Sequence, residues 1–304
     1  MLIWSTMPHD RQENSATKLV GMLIVYNEVD IIEQYLDHMA TQEIPLVVLD
    51  GGSTDGTYGI IRENRTGIVS RHAQFITDRF ELVLSLRCLH AMAAQENPDW
   101  MLLADADEFM ETNDPKLSLR EAIALEDAKG FNLIQFDNYE FWPTALDPPV
   151  RDIRERIRYY SWHDRWRFRA WKHGPGIRIH PSGGHLPIFP ENMVVRLSPN
   201  RFIIRHYSIR DYEQGRRKAF VERLGRYSDF DRRIFGLRRY ESYKDEKPFF
   251  VIEPRMLNRF DGKWNNERKF AGWRTETFPD LSSSEEVRRM MTELAKNYAR
   301  SCVE

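Results

Sequence analysis

Apolar residues along this chain follow two rhythms. Short uninterrupted runs, KLVGMLIVY at 18–26, PLVVLD at 45–50 and WMLLA at 100–104, suit strands covered on both faces of a parallel sheet. Between the runs, apolar positions recur every three or four residues. Ile31, Ile32, Tyr35, Leu36 and Met39 form one such stripe, and Phe80, Val83, Leu84, Leu86, Leu89 and Met92 form another. Both predict amphipathic helices, the second within 78–95 and stopped by Pro98. A short helix over 58–63 and a weaker strand over 67–71 complete the alternation. The expected fold class is therefore α/β, a doubly wound, mostly parallel sheet with helices on both faces.

Further along, the pattern predicts a helix over 119–128 and a strand over 131–136, FNLIQF, running into Asp137 and Asn138. Residues 147–169 change character, with Pro148, Pro149, many arginines and interleaved Tyr159, Tyr160, Trp162 and Trp166, followed by Trp171. These aromatics suit either a strand pair with tryptophans in the core or a groove that stacks on sugars and binds phosphate through arginine. Residues 174–190, rich in Gly, Pro and His, read as loop with short strands. Short strands are expected over 194–197 and 202–205, the second ending at His206. Residues 211–239 read as helical, and Ser282 to Ser284 with Glu285 and Glu286 cap a last helix carrying Val287, Met290, Met291, Leu294 and Tyr298 on one face. No internal repeat interrupts this order. The expected organisation is an N-terminal extension (1–17), a nucleotide-sugar-binding half (18–114), an acceptor-side half of the same domain (115–210) and a helical C-terminal region (211–304).

Charge changes this picture more than composition does. Residues 1–150 carry 10 Lys and Arg against 25 Asp and Glu, whereas 151–239 carry 22 against 9. A basic middle beside an acidic first half suggests a positive surface for an anionic ligand or a membrane, or two halves that neutralise each other where they meet. The longest clean apolar run is far short of the ~20 residues that span a bilayer, and the first residues lack the basic start of a signal peptide. With two cysteines, Cys88 and Cys302, in neither metal-ligand nor disulfide spacing, a reducing, cytoplasmic location is expected, soluble or peripherally membrane-associated.

The candidate chemistry lies where the buried runs stop. The run at 100–104 ends in Asp105, Asp107 and Glu108, carboxylates at the edge of the sheet where open α/β folds bind ligands. Two hard oxygen donors two residues apart suit a divalent cation, Mn²⁺ or Mg²⁺, completed by water and phosphate. Asp50 ends the second run and opens DGGSTDGT (50–57), whose turn formers let a backbone approach a ligand closely. Its carboxylate can accept hydrogen bonds from uracil or ribose. The first run ends in Tyr26, Asn27 and Glu28.

The succession YNE, DGGSTDGT and DAD resembles the family 2 glycosyltransferases with the GT-A fold, firmly over 18–112 and more loosely to His206. The resemblance implies nucleotide contacts for Asn27, Glu28, Asp50, Asp55, Arg87 and Asp105, and metal ligation by Asp105, Asp107 and His206. A structural histidine is the alternative for the last. It implies a metal-dependent transfer from a nucleotide-diphosphate sugar, UDP-sugar favoured, to a hydroxyl of a glycan, glycolipid or other acceptor, with inversion. A nucleic-acid acceptor would use the same basic surface. Inversion needs a general base. Relatives often place His-Glu after an R-x-F-R strand, but here Arg167, Phe168 and Arg169 are followed by His185 and then Leu186. The candidates are His185 and Asp137, with Glu140 and Glu191 behind them. Two competing functions remain. One is a non-catalytic saccharide- or polymer-binding module that keeps the fold. The other is a sugar-phosphate nucleotidyltransferase, disfavoured because its glycine-rich opening loop is absent.

Overall fold

The computed structural model describes residues 17–163, 167–180, 186–235, 238–270 and 283–301. Four runs form parallel strands: β1 (Leu19–Val25), β2 (Leu46–Asp50), β3 (Val69–Gln74) and β4 (Trp100–Asp105). They lie in the order β3-β2-β1-β4, joined by helices α1 (Ile32–Thr41), α2 (Thr57–Glu63) and α3 (Leu82–Ala94). Strand alternation sends Trp100, Leu102 and Ala104 into the core with α1, and Met101 and Leu103 into the core with α3. Both faces of the sheet are thus covered, and uninterrupted apolar runs are what such strands require. The helix expected from 78 begins at Leu82, whose N–H, like that of Val83, is capped from afar by Asp231.

Beyond β4 the chain turns into β5 (Glu108–Glu111) and α4 (Leu119–Ala128), the latter opened by a capping box between Ser118 and Glu121. FNLIQF differs from expectation. It splits at Gln135 into β6 (Leu133–Ile134), on the edge of the first sheet, and β7 (Phe136–Phe141), inside a second. Strands β8 (Tyr159–His163), β9 (Ala170–Lys172), β10 (Arg178–Ile179), β11 (Pro187–Ile188), β12 (Phe202–His206) and β13 (Asn258–Arg259) follow. The antiparallel β9 fills the gap between β4 and β6, and the second sheet runs β13-β8-β7-β12-β5. Residues 194–197 contribute only an isolated bridge between Leu197 and Leu133, not a strand.

The expected helix over 211–239 is broken. Tyr212–Arg216 is α-helical, Arg217–Arg223 is π-helical, and Asp229–Phe235 and Arg238–Glu241 are separate short α-helices. Gly215 sits where this segment crosses a small core of Ile209 and Phe250. A Cβ there would come within 2.6 Å of Phe250 and 2.8 Å of Ile209. Gly215→Ala should therefore cost about 1–3 kcal/mol by overpacking, read as a lower urea midpoint at unchanged m-value. The core reading holds for Tyr160 and Trp171, which are fully buried. Trp166 lies outside the described residues. Among those described, no helix is long and apolar enough to cross a membrane.

Candidate active site

The loops after β1 and β2 are built as one body. Asn27, held at a positive φ of 52°, donates its N–H to Ser53 Oγ (2.9 Å), and its side-chain oxygen accepts from the N–H of Thr54 (2.9 Å). The N–H groups of Glu28 and Val29 donate to Thr57 Oγ1 (2.9 Å) and Asp55 Oδ2 (3.1 Å). Two of the residues expected to touch a nucleotide, Asn27 and Asp55, therefore spend their polar atoms mainly on holding the two loops together. Asp50 is different. Its Oδ1 accepts from the N–H groups of Gly52 and Ser53 and from Gln74 Nε2, at 2.9–3.0 Å. Its Oδ2 is buried with no partner among the described residues. A buried acceptor left so is costly unless a ligand donates to it.

The acidic stretch is met from three sides by cations. Arg169, fully buried on the approach to β9, donates to Asp105 (2.6 Å) and Glu108 (2.5 Å). Lys218 donates to Asp107 Oδ2 (2.6 Å) and Glu28 Oε1 (3.2 Å). Arg210 forks onto Asp30 and also reaches Glu28 (2.5 Å). His206, on β12, lies with Nδ1 2.8 Å from Glu140 Oε2 and Nε2 3.7 Å from Asp107 Oδ1. Ser208 donates to the other oxygen of Glu140 (2.6 Å). Part of the basic middle of the chain thus pairs with the acidic first half inside the fold.

These neighbours push the groups apart in pKa. Burial alone would raise the Asp107 carboxyl, but Lys218 and His206 hold it well below the usual range. Burial raises Asp105, and Arg169 only partly opposes it. Burial disfavours charge on His206, yet Glu140 and Asp107 raise it to about 9, so it carries a proton at neutral pH. Lys218 is likewise raised against burial by Asp107 and Glu28.

A divalent cation that displaced the His206 proton would find two protein donors here, Asp107 Oδ1 and His206 Nε2, whose 3.7 Å separation two ligands at about 2 Å from one ion can span. Glu140 would hold the ring by its other nitrogen, the usual support of a ligating histidine. Among the described residues no third His, Cys, Asp or Glu completes the set. That suits an ion such as Mg²⁺, which keeps waters and takes its remaining ligands from phosphates. Asp105 is turned to Arg169, and about a third of its side chain is exposed.

The chain matches the sequence profile of glycosyl transferase family 2 over residues 22–173, half its length. It belongs to that family. Solved structures similar to this family 2 chain include S. aureus TarS, 15% identical over 68% of this chain and 40% of that one, with a TM-score of 0.37. TarS 1-349 in complex with UDP is 16% identical over 77% and 74% of the two chains, TM-score 0.37. A complex with UDP-GlcNAc is 19% identical over 49% and 41%, TM-score 0.33. The chain thus spans about two fifths of the length of the first of these. No curated protein matches it.

The remaining expected site residues fall as follows. Arg87 is exposed on α3. Asp137 pairs with Arg201 (3.3 Å) and, by alternation along β7, faces away from Glu140 and His206. As a general base it would stand on the wrong side of the second sheet. Glu191 is exposed, and His185 lies outside the described residues. Arg169 belongs to the R-x-F-R stretch noted in the sequence, but its pairing with the acidic strand is not legible there. Lys218 and Arg210 carry no signal beyond the charge excess of 151–239, because the pairs they form join residues 111 to 190 positions apart.

Proposed function

We propose that this family 2 chain transfers a sugar from a uridine-diphosphate donor to an acceptor hydroxyl, with inversion, using a divalent cation held by Asp107 and His206. Residues 18–114 would bind the nucleotide and 115–210 the acceptor. One observation carries the reading: the buried, unpartnered Oδ2 of Asp50 and the Asp107–His206 pair both lie at the carboxyl edge of the parallel strands. Asp50 Oδ2 accepts from the N3–H of uracil or a ribose hydroxyl, which satisfies the one carboxylate oxygen left without a donor.

The cation has a reason to be required. Glu28, Asp30 and Asp107 face Arg210, Lys218 and His206, so three negative and three positive charges cancel. Glu140 adds a further negative charge, and a diphosphate meets no net attraction. A divalent ion that displaced the His206 proton would still add one net positive charge, and would stabilise the leaving diphosphate as a Lewis acid. Glu140 and Ser208 fix His206 for its part, and Lys218 holds Asp107 in place before the ligand arrives.

A thermal-shift panel of UDP, GDP and dTDP, with and without Mn²⁺, tests this. UDP with Mn²⁺ at a hundredfold excess over its Kd should stabilise the protein by about 2.7 kcal/mol, and UDP alone far less. Asp107→Ala should abolish the metal-dependent part, and Asp50→Leu the uridine preference. No shift with any nucleotide would sink the reading.

A further inference from the structure

Two deeply buried side chains beside this site carry polar atoms with no partner among the described residues. Arg167 is 3% exposed, its Nε is sealed from solvent without an acceptor, and it forms no ion pair among the described residues. The charges it feels are Glu108, Arg169, Glu140 and Asp105, which do not offset its burial, and the guanidinium is pushed down to about 10. Asn138 is 1% exposed, and both its amide oxygen and its amide nitrogen are buried without a partner among the described residues.

Their placement is not scattered. The N–H of Phe136 donates to the carbonyl of Arg167 (2.8 Å), and that of Leu103 to the carbonyl of Arg169 (2.8 Å). The stretch 167–169 therefore bridges the start of β7 and the acidic strand β4. Phe168 points into the core with Met101 and Leu103, which leaves its two arginine neighbours on the opposite side of an extended chain. Asn138 shares a face of β7 with Glu140, whose carboxylate holds His206. A fold does not keep an unpaired guanidinium and an unpaired amide at such depth for stability, since each costs free energy that an apolar residue of similar size would not.

We propose that Arg167 and Asn138 form a subsite for an oxyanion, a carboxylate or phosphate borne by the transferred sugar or by the acceptor, distinct from the leaving diphosphate. Guanidinium binds either group through paired N–H donors, and the Asn138 amide adds a donor and an acceptor for the oxyanion and an adjacent hydroxyl. The groups differ from those around Asp107: Lys218, His206, Arg210 and Arg223 act on Asp107, whereas Arg167 acts with Asp105, Glu108 and Glu140. The subsite rests on the donor reading above and narrows its substrate to an acidic one.

Calorimetric titration, in Mn²⁺, of wild type, Arg167→Met and Asn138→Leu separates the sources. UDP-glucuronate against UDP-glucose tests an acidic sugar. Glycerol 3-phosphate against glycerol, each with UDP present, tests an acidic acceptor. In one of the two pairs the acidic member should bind wild type at least tenfold more tightly, and either substitution should remove that preference while UDP itself still binds. Arg167→Lys should retain part of it. The unliganded variants should melt at or above the wild-type temperature, which residues kept for structure would not do. Equal binding in both pairs, or a preference that survives both substitutions, overturns the subsite alone. Failure of UDP to bind overturns the donor reading and takes the subsite with it.

Discussion

Lys218→Met is expected to lower folding stability by about 3–5 kcal/mol at neutral pH, the cost of removing one partner from a buried ion pair. The ammonium is buried, lies 2.6 Å from Asp107 and 3.2 Å from Glu28, and has no other partner among the described residues. Its loss leaves two carboxylates in a low-dielectric setting, with Arg210 still on Glu28 but only His206, at 3.7 Å, facing Asp107. The compensating variant makes the test specific. Adding Asp107→Asn and Glu28→Gln to Lys218→Met removes the stranded charges and should recover most of the loss, because a neutral, well-packed replacement of a buried ion cluster is often as stable as the original. Urea midpoints at constant m-value measure both effects. A drop below about 1 kcal/mol for the single variant would mean that the ammonium is solvated rather than paired. The same experiment bears on function, since the triple variant should fold yet fail to take up UDP with Mn²⁺.

Why this lysine was invisible from sequence, when its carboxylate partners were plain, is a matter of range. The runs LVVLD and WMLLAD announce strands because continuous apolar character is what two covered faces demand, and the carboxylates at their ends follow from where the strand surfaces. DGGSTDGT announces its loops through local turn chemistry, down to Gly52 and Gly56 at positive φ. Lys218 is paired with residues 111 and 190 positions away, and it lies in a π-helical stretch that 3.6-residue periodicity reads as ordinary helix. The same limit misplaced Asp137. FNLIQF reads as one strand that delivers Asp137 to the site, but the chain changes sheets at Gln135, and Asn138 and Glu140 take the inward positions instead. Period counting cannot see a crossover in the middle of an apolar run. Asn27 and Asp55 show a converse limit. A motif marks residues without saying whether they touch the ligand or only shape the loop that does.

Stability should also peak near neutral pH and fall on both sides for different histidines. Burial pushes His38 down to about 4, against the bond between its Nε2 and the carbonyl of Met110 (2.8 Å). The unfolded chain takes up that proton near pH 6.5, so between pH 6.5 and 4 the unfolded state binds more protons and stability drops as pH falls, by about 3 kcal/mol over the full range. His206 has the opposite sign. With its folded value raised to about 9 by Glu140 and Asp107, its contribution is complete below pH 6.5 and is lost as pH rises toward 9, again about 3 kcal/mol. His38→Gln should flatten the acid limb and leave the alkaline limb alone. His206→Gln should do the reverse. Comparing each variant with wild type at the same pH isolates the histidine from carboxylates that titrate nearby, Asp105 among them. Unfolding free energies from urea titrations at pH 4.5, 6.5 and 8.5 would decide it. An acid limb unchanged in His38→Gln would mean that the ring is protonated in the fold, which its hydrogen bond to a carbonyl also permits and its burial among Tyr35 and Phe109 opposes.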